Sequence, residues 1–543
     1  MKFRPPRRLA TLLAAIAFLV GCTSVNPPPP TASGATPTTA ASASAPASPE
    51  PTPASTPSGP ATFPLAVVTG MTNLKSSISL EELDRLAAAN RLLVPCGIAV
   101  MDPELMPPAD CRRADRMAAF LQRHQKRVAV LPAGLVEPAT KVLSIAGDGP
   151  FGMFGPDLFG DTRARAMDYP VHGVATGDAT LDQAWLAYDP QQVWTLTNIG
   201  SLCSSPLVAD QAVGNGLGWG WVFNGGSARY TAPALVDPPN PNESGFANYG
   251  VTSVLTGNDG ATPAVLKRSD LAIADHECPV VPNEGWAPQS GPALVFTVPE
   301  AVVVQWKRKL GLDAVYLAAN HLSDAGVAGI ESTLRILDKH NMPHTGLGMN
   351  LTEAIQPTFM EAAGLTVALV AFNDVSGVAR ADDSTPGVPW ITPENANRAV
   401  QLAREGGADL VICSPQWWGG AEYHDDFWPV QAEQLGWFDD AGCDHVIGSG
   451  THVAGPVLVR ERDTGSNVVL VCPGNYMFGQ NWWQEVDEGV ILDLSFNGTQ
   501  LVNVRLRPYV MHLHARPSLL DPEGDGRYVM QRIFKYSSFD PVR

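Results

Sequence analysis

This chain is short of charge, short of cysteine and without a long hydrophobic run, and each shortage removes a class of protein. Only 17% of its 543 residues are charged, and the formal net charge is −18. No basic tract is available to neutralise phosphates, which argues against a nucleic-acid partner and disfavours electrostatic docking on anionic lipid. The eight cysteines include no CxxC pair, so a zinc–thiolate centre is not expected. The apolar stretch 9–20 is too short to span a bilayer. What the chain has in plenty is glycine and proline, 50 and 48 residues, the balance of a loop-rich exported protein. Its length allows two or three domains, each able to bury a substantial core.

The start of the chain reads as an export signal. Lys2, Arg4, Arg7 and Arg8 precede the apolar stretch, and Leu19-Val20-Gly21-Cys22 closes it. That tetrapeptide resembles the lipobox of bacterial lipoproteins. The resemblance implies that residues 1–22 are a lipoprotein signal peptide and lipobox, cleaved before Cys22, with a diacylglyceryl thioether on the Cys22 sulfur. Several acyl chains anchor stably where one does not, so the expected location is the cell membrane, lipid-anchored on its extracytoplasmic side. Residues 23–62 are proline, alanine, serine and threonine almost throughout. Such a segment buries too little apolar surface to fold. As an extended linker, at about 3.1 Å per residue, it would reach on the order of 100 Å.

Folding is expected from Phe63. Residues 65–69, 127–131 and 141–146 read as strands, and Ser79 with Glu82 reads as a capping box for a helix over 80–90. Residues 63–185 are expected to form a smaller N-terminal α/β domain, whose opening faintly resembles a lobe of phosphate-type periplasmic binding proteins. Cys96 and Cys111 flank a short loop and are the best disulfide pair. Cys413 and Cys472 each end an apolar run and are expected to be buried near strand ends.

From Trp194 onward one pattern recurs: a hydrophobic strand followed at once by small and polar residues. The clearest case is 313–326, DAVYLAANHLSDAG. Residues 314–319 have the make-up of a buried parallel strand, which stops on Asn320-His321 and turns through Ser323, Asp324 and Gly326. A helix follows, with Val327, Ile330, Leu334 and Leu337 at helical spacing. Further strands are expected at 269–280, ending in Asp275-His276-Glu277, and at 366–372, 409–413, 445–447 and 468–471. Ligands of layered α/β folds gather at the carboxyl ends of strands. Asn320, His321 and Asp324 would suit a metal or a phosphate oxygen there. The structural alternative has Asn320 capping the turn and Asp324 capping the helix.

Taken together, the stretches DLAIADHE, DAVYLAANHLSDAGVAG, TLRILDKHNMPHTGLG, WWGGAEY, DAGCDHVIGSGTHV and PGNYMFGQ resemble the CapA family of poly-γ-glutamate capsule synthesis proteins. The resemblance covers roughly 194–495 and implies a layered, metallophosphoesterase-like (metallo-dependent phosphatase-like) α/β domain over 194–510. It also implies a role in capsule or surface-polymer biosynthesis. A two-metal phosphoesterase holds its cations with Asp, Asn, His and Glu ligands, and several family positions are altered here. The family's Gly-Asp is Gly200-Ser201, and its Asn-Leu-Glu is Asp275-His276-Glu277. Ala319-Asn320-His321 keeps the Asn-His pair. Trp417-Trp418-Gly419, preceded by Gln416, lacks the family's histidine, and Gly448-Ser449-Gly450-Thr451-His452 keeps only the last one.

Glu277, Asn320, His321 and His452 are therefore the expected ligands of at most one divalent cation, with Asp275, His276, Asp324 and Glu422 as substitutes. Glu277, Asn320, His321 and Glu422 are the candidate catalytic residues, Glu422 as acid or base. Ser201, Trp417 and Gly450 are expected to line the same cleft. Trp417, Trp418, Trp482 and Trp483 read either as core or as a platform for a sugar or peptide polymer. Two functions stay open: a surface hydrolase or transferase with a reduced metal site, and a non-catalytic lipoprotein that binds or organises the polymer.

Overall fold

The first strand, β1 (Thr62–Gly70), is apolar at nearly every position because it is buried on both faces. In this computed structural model the described residues are 62–101, 104–145, 171–176, 191–231, 253–288, 295–417, 420–463 and 465–541. Cys22 and the linker up to residue 61 lie outside them. Residues 59–543 form one compact unit.

Helix α1 (Leu80–Ala88) starts as expected, with Ser79 Oγ accepting from the Glu82 N–H at 3.0 Å. The Glu82 carboxylate does not close the box; it takes Lys75 Nζ at 3.0 Å. Strand β1 pairs antiparallel with β2 (Val128–Pro132) and β3 (Thr140–Val142) in a seven-stranded sheet. That sheet has its own core, built on Leu65, Val67, Leu83, Leu121, Val130 and Ile145.

The rest of the unit is built on two further sheets. In the first, β4 (Val193–Leu202), β5 (Leu271–His276) and β6 (Ala314–Tyr316) run parallel. Helix α2 (Gly326–Lys339) belongs to this layer, with Ile330 and Leu337 fully buried. Val327, expected on the same face, is 51% exposed. Gly326, Val327 and Ala328 are all exposed, and burial along α2 begins only at Gly329. The second sheet carries β7 (Leu365–Asn373), β8 (Leu410–Gln416), β9 (His445–Ile447) and β10 (Gly465–Leu470), again parallel.

Successive side chains of a strand point to opposite faces, and β7 shows the consequence. Val367, Leu369 and Ala371 pack into the core shared with the first sheet. Ala368, Val370 and Phe372 pack outward with the helices 393–405 and 429–441. Two sheets face each other, and helices cover them. This is the layered α/β arrangement that the sequence suggests. The first sheet is completed by β11 (Glu488–Asn497), antiparallel to β4, and β12 (Gln500–His512) beside it. Helix α3 (Arg527–Tyr536) follows.

Three disulfides tie the loops. Cys96 and Cys111 are joined, as expected. Cys413 is buried and bonded to Cys443, and Cys203 is bonded to Cys278. Cys472 is buried and free.

Two histidines sit fully inside the body. His276 Nδ1 bonds the Leu202 carbonyl at 2.7 Å, and His445 Nδ1 accepts from the Val468 N–H at 3.2 Å. Burial lowers both to about 4. An unfolded histidine titrates near 6.5, so below that pH the unfolded chain binds protons that the folded chain refuses. Stability is then full above pH ~6.5 and falls as the pH drops toward 4, by up to about 3 kcal/mol for each histidine. Chemical denaturation at pH 7, 5.5 and 4.5 checks this, and His445→Gln should flatten the slope. An unchanged slope in that variant would show that His445 is not neutral in the fold.

Candidate functional site

The carboxyl ends of β4, β5, β8 and β9 come together, which follows from their parallel order in two facing sheets. Ser201 stands at the end of β4 and Asp275 near the end of β5, with Ser201 Oγ donating to Asp275 Oδ2 at 2.7 Å. Glu277, one residue past β5, is completely buried, and its Oε2 has no hydrogen-bond partner. Burial and the neighbouring Glu277 charge push the Asp275 carboxyl well above the usual range, with the Ser201 hydroxyl opposing the shift. The buried Asp275 thus resists ionising beside a second carboxyl group.

Gln416, at the end of β8, occupies the middle of the site. Its Nε2 donates to Glu277 Oε1 and to Asn320 Oδ1, both at 3.0 Å, while its Oε1 accepts from the Asn320 N–H at 2.8 Å. An amide NH2 has two hydrogens, and here both are directed at would-be metal ligands. Gly450 leaves the room for it. At φ +96 it lies in the left-handed region, and a Cβ there would come within 2.7 Å of Gln416 Cγ. The sequence did not mark Gln416 as functional. The available signal was strand parity, since Ile412 in the same strand faces the shared core.

His452 is the other fixed element. It is 4% exposed, and its Nδ1 bonds Asn475 Oδ1 at 2.9 Å. That contact orients the ring and turns Nε2 toward Glu277 Oε1 at 3.8 Å and Glu422 Oε1 at 3.9 Å. These separations are too long for hydrogen bonds and leave room for something between the three side chains. His452 has φ +61 and Tyr423 has φ +67, a conformation that costs non-glycine residues free energy and tends to cluster at working sites. The two rings stack at 5.5 Å between centroids. Trp482 and Trp483 meet Tyr423 edge-on at 5.1 and 4.9 Å.

His321 lies beside this centre, with its ring edge-on to Phe296, which also touches Phe478. Its Nδ1 bonds Asp324 Oδ2 at 2.9 Å. Burial pulls its pKa down, but Asp324 and the charge of Glu277 outweigh that and leave it raised. Asp324 does not cap α2. Its carboxylate takes His321 and the Phe296 N–H at 2.8 Å, because the chain reaches α2 through a short 3-10 turn over Asn320–Ser323.

Trp417 does not line the cleft. It is fully buried on the far face of the second sheet, donating its indole N–H to the Val471 carbonyl at 2.9 Å. Strand alternation explains this, since Gln416 points into the site and its neighbour must point away. Trp418 lies outside the described residues. Trp482 is half-buried and Trp483 buried, so Trp482 is the more open of the two rings against Tyr423.

Among the described residues no group of three or more His, Cys, Asp and Glu side chains stands ready to hold a metal ion. Glu277 Oε1 and His452 Nε2 stand 3.8 Å apart, and the other Glu277 oxygen, Oε2, is unpartnered. Glu422, 35% exposed at its side chain, would have to turn inward. Asn320 is engaged by Gln416. The donor set therefore fits one hard or borderline cation and does not fit two.

Residues 237–480 match the family profile of the bacterial capsule synthesis protein PGA_cap. This segment belongs to the CapA family. Among relatives, the PGA biosynthesis protein CapA of Bacillus subtilis (strain 168) is 29% identical over 238 residues, which is 43% of this chain and 60% of that one. The capsule biosynthesis protein CapA of Bacillus anthracis is 26% identical over 245 residues, 44% of this chain and 58% of that protein. The chain thus spans somewhat less than two thirds of the CapA proteins it matches. Among solved structures, the 5'-nucleotidase precursor from Thermus thermophilus overlaps 63% of this chain and 58% of its own, at 10% identity and a TM-score of 0.34, too slight a likeness to bear on function. Within the CapA segment lie Glu277, Asn320, His321, Glu422 and His452, so the whole cluster comes from the matched part of the chain.

Proposed function

We propose that this chain acts in the biosynthesis of a capsule-type surface polymer, anchored through Cys22 on the outer side of the cell membrane. In this reading the cluster of Glu277, His452 and Glu422 is its working site. The observation that carries it is the buried Glu277, whose Oε2 is unpartnered and whose Oε1 lies 3.8 Å from Nε2 of the oriented His452, in a CapA-family segment. An uncompensated buried carboxylate oxygen costs stability, and such costs are kept where a ligand relieves them. Glu277, His452 and Glu422 are the residues that would hold a divalent cation, with His321 beside them. Such an ion polarises a carbonyl or phosphoryl oxygen and lowers the pKa of bound water.

The chain's own groups have separable roles. Glu422 is the carboxylate open to solvent and can exchange a proton with a bound polymer. Gln416 fixes Glu277 and Asn320 relative to each other. Tyr423 and Trp482 offer ring faces and edges on which an extended polymer can lie. A purely binding role is the second reading, favoured by Ser201 and Gln416, which place hydrogen-bond donors against Asp275 and Glu277.

The test is polymer yield in a host that depends on this chain. Glu277→Gln and His452→Ala are each expected to lower yield at least tenfold at wild-type levels in the membrane fraction, whereas Cys22→Ser should leave that fraction. Unchanged yield in both site variants would move the function elsewhere on the molecule.

A further inference from the structure

A second feature, lined by none of the strand-end site residues, lies at the seam between the N-terminal sheet and the body. There β3, β12 and α3 enclose a cavity of about 40 Å³. One buried water needs roughly 10–15 Å³ of such space, so the cavity admits a group of a few heavy atoms. Three cationic side chains line it: Lys141 from β3, and Arg505 and Arg507 from β12. The two arginines are two positions apart and so share one face of their strand. The remaining lining is largely apolar and includes Met530, Pro522 and Phe534.

The charge lining this cavity is positive. Arg507 Nε pairs with Asp493 Oδ2 at 2.5 Å. Lys141 is 8% exposed, and its Nζ donates to the Asn73 carbonyl, which carries no formal charge. Burial, together with the Arg505 charge, lowers Lys141 to about 7, with Glu523 opposing. Burial, together with Arg507, lowers Arg505 to about 10, with Asp493 opposing. Burial and a neighbouring positive charge thus disfavour the cationic forms of Lys141 and Arg505 despite the carboxylates nearby. A desolvated cation is costly without an anion close by.

We infer that this cavity binds a small aliphatic monocarboxylate, with the carboxylate between Lys141 and Arg505 and the alkyl part against Met530 and Phe534. A monoanion there would favour the charged form of Lys141, which burial opposes and whose ammonium group is held by a neutral carbonyl. The apolar wall suits an alkyl chain and penalises a phosphate dianion, which would lose hydration on all its oxygens. The site stands apart from the Glu277 cluster and does not depend on the function proposed for it. A ligand there would join the N-terminal sheet to the body.

The experiment is isothermal titration calorimetry of the full-length chain in detergent with propionate, with inorganic phosphate and chloride at matched ionic strength as controls. Saturable propionate binding in the millimolar range is expected, since a ligand of five heavy atoms has a bounded affinity. Lys141→Met should weaken it at least tenfold, and Lys141→Arg should restore most of it. Phosphate binding as tightly as propionate overturns the monocarboxylate assignment, and chloride competing equally reduces the site to an adventitious ion only. No saturable propionate heat with the wild-type chain overturns the proposal whatever the variants do.

Discussion

Trp417→Ala is expected to lower stability by about 3–5 kcal/mol, the usual cost of emptying a buried tryptophan site. Its ring is fully buried beside Phe427 and Phe438, and its indole N–H holds the Val471 carbonyl, so truncation leaves both a cavity and an unpaired buried acceptor. Trp482→Ala should behave differently. That ring is half-buried and touches Tyr423 at its edge, so its loss should cost about 1 kcal/mol and show mainly as weaker polymer binding. Urea unfolding of the two variants decides the matter. Equal stability losses would mean that the division between core tryptophan and surface tryptophan is misplaced.

The second large effect concerns the Cys203–Cys278 disulfide, which closes a separation of 75 residues. On the chain-entropy account a loop of that length is worth about 4–5 kcal/mol. Cys203 lies just past β4 and Cys278 just past β5, so the bond also clamps the two strand ends that present Ser201, Asp275 and Glu277. The double variant Cys203→Ala/Cys278→Ala should therefore unfold far more readily. At temperatures where it stays folded, it should also lose ligand affinity at the strand-end site. Loss of stability with unchanged affinity would separate the clamp from the site. Removing Cys96–Cys111, with a separation of 15 residues, should cost less, about 3 kcal/mol, and leave the site untouched.

These particulars show what could be read from the residues. The strands of the body were legible because apolar runs end abruptly in polar residues, and parallel strands buried on both faces have that texture. The capped start of α1 was legible from Ser79. The Cys96–Cys111 pair was legible because its partners are close in sequence. Cys203–Cys278 was not, since only the pairing of β4 with β5 brings those residues together. The site was legible as a set of loops, while its inner contacts were not. Gln416 passed for the residue before a motif, although parity with Ile412 places it inward and Trp417 outward. Asp324 looked like a helix cap because it precedes a helix, yet a 3-10 turn redirects it to His321 and Phe296. Val327 kept the helical period, but it lies in the exposed start of α2, before burial begins at Gly329.

The altered positions also make physical sense together. Ser201 and Gln416 are neutral donors directed at Asp275 and Glu277, and they satisfy oxygens that would otherwise need a cation or water. One carboxylate oxygen, Glu277 Oε2, is left over, and the other, Oε1, lies 3.8 Å from His452 Nε2. On the proposed reading that leaves a place for one cation.

Counting metal on the purified full-length chain tests this directly. After equilibration with manganese or zinc and removal of free ion, elemental analysis should find one equivalent per chain in the wild type. It should find none in His452→Ala, with both proteins folded by circular dichroism. Two equivalents in the wild type, or one equivalent retained by His452→Ala, would contradict the account.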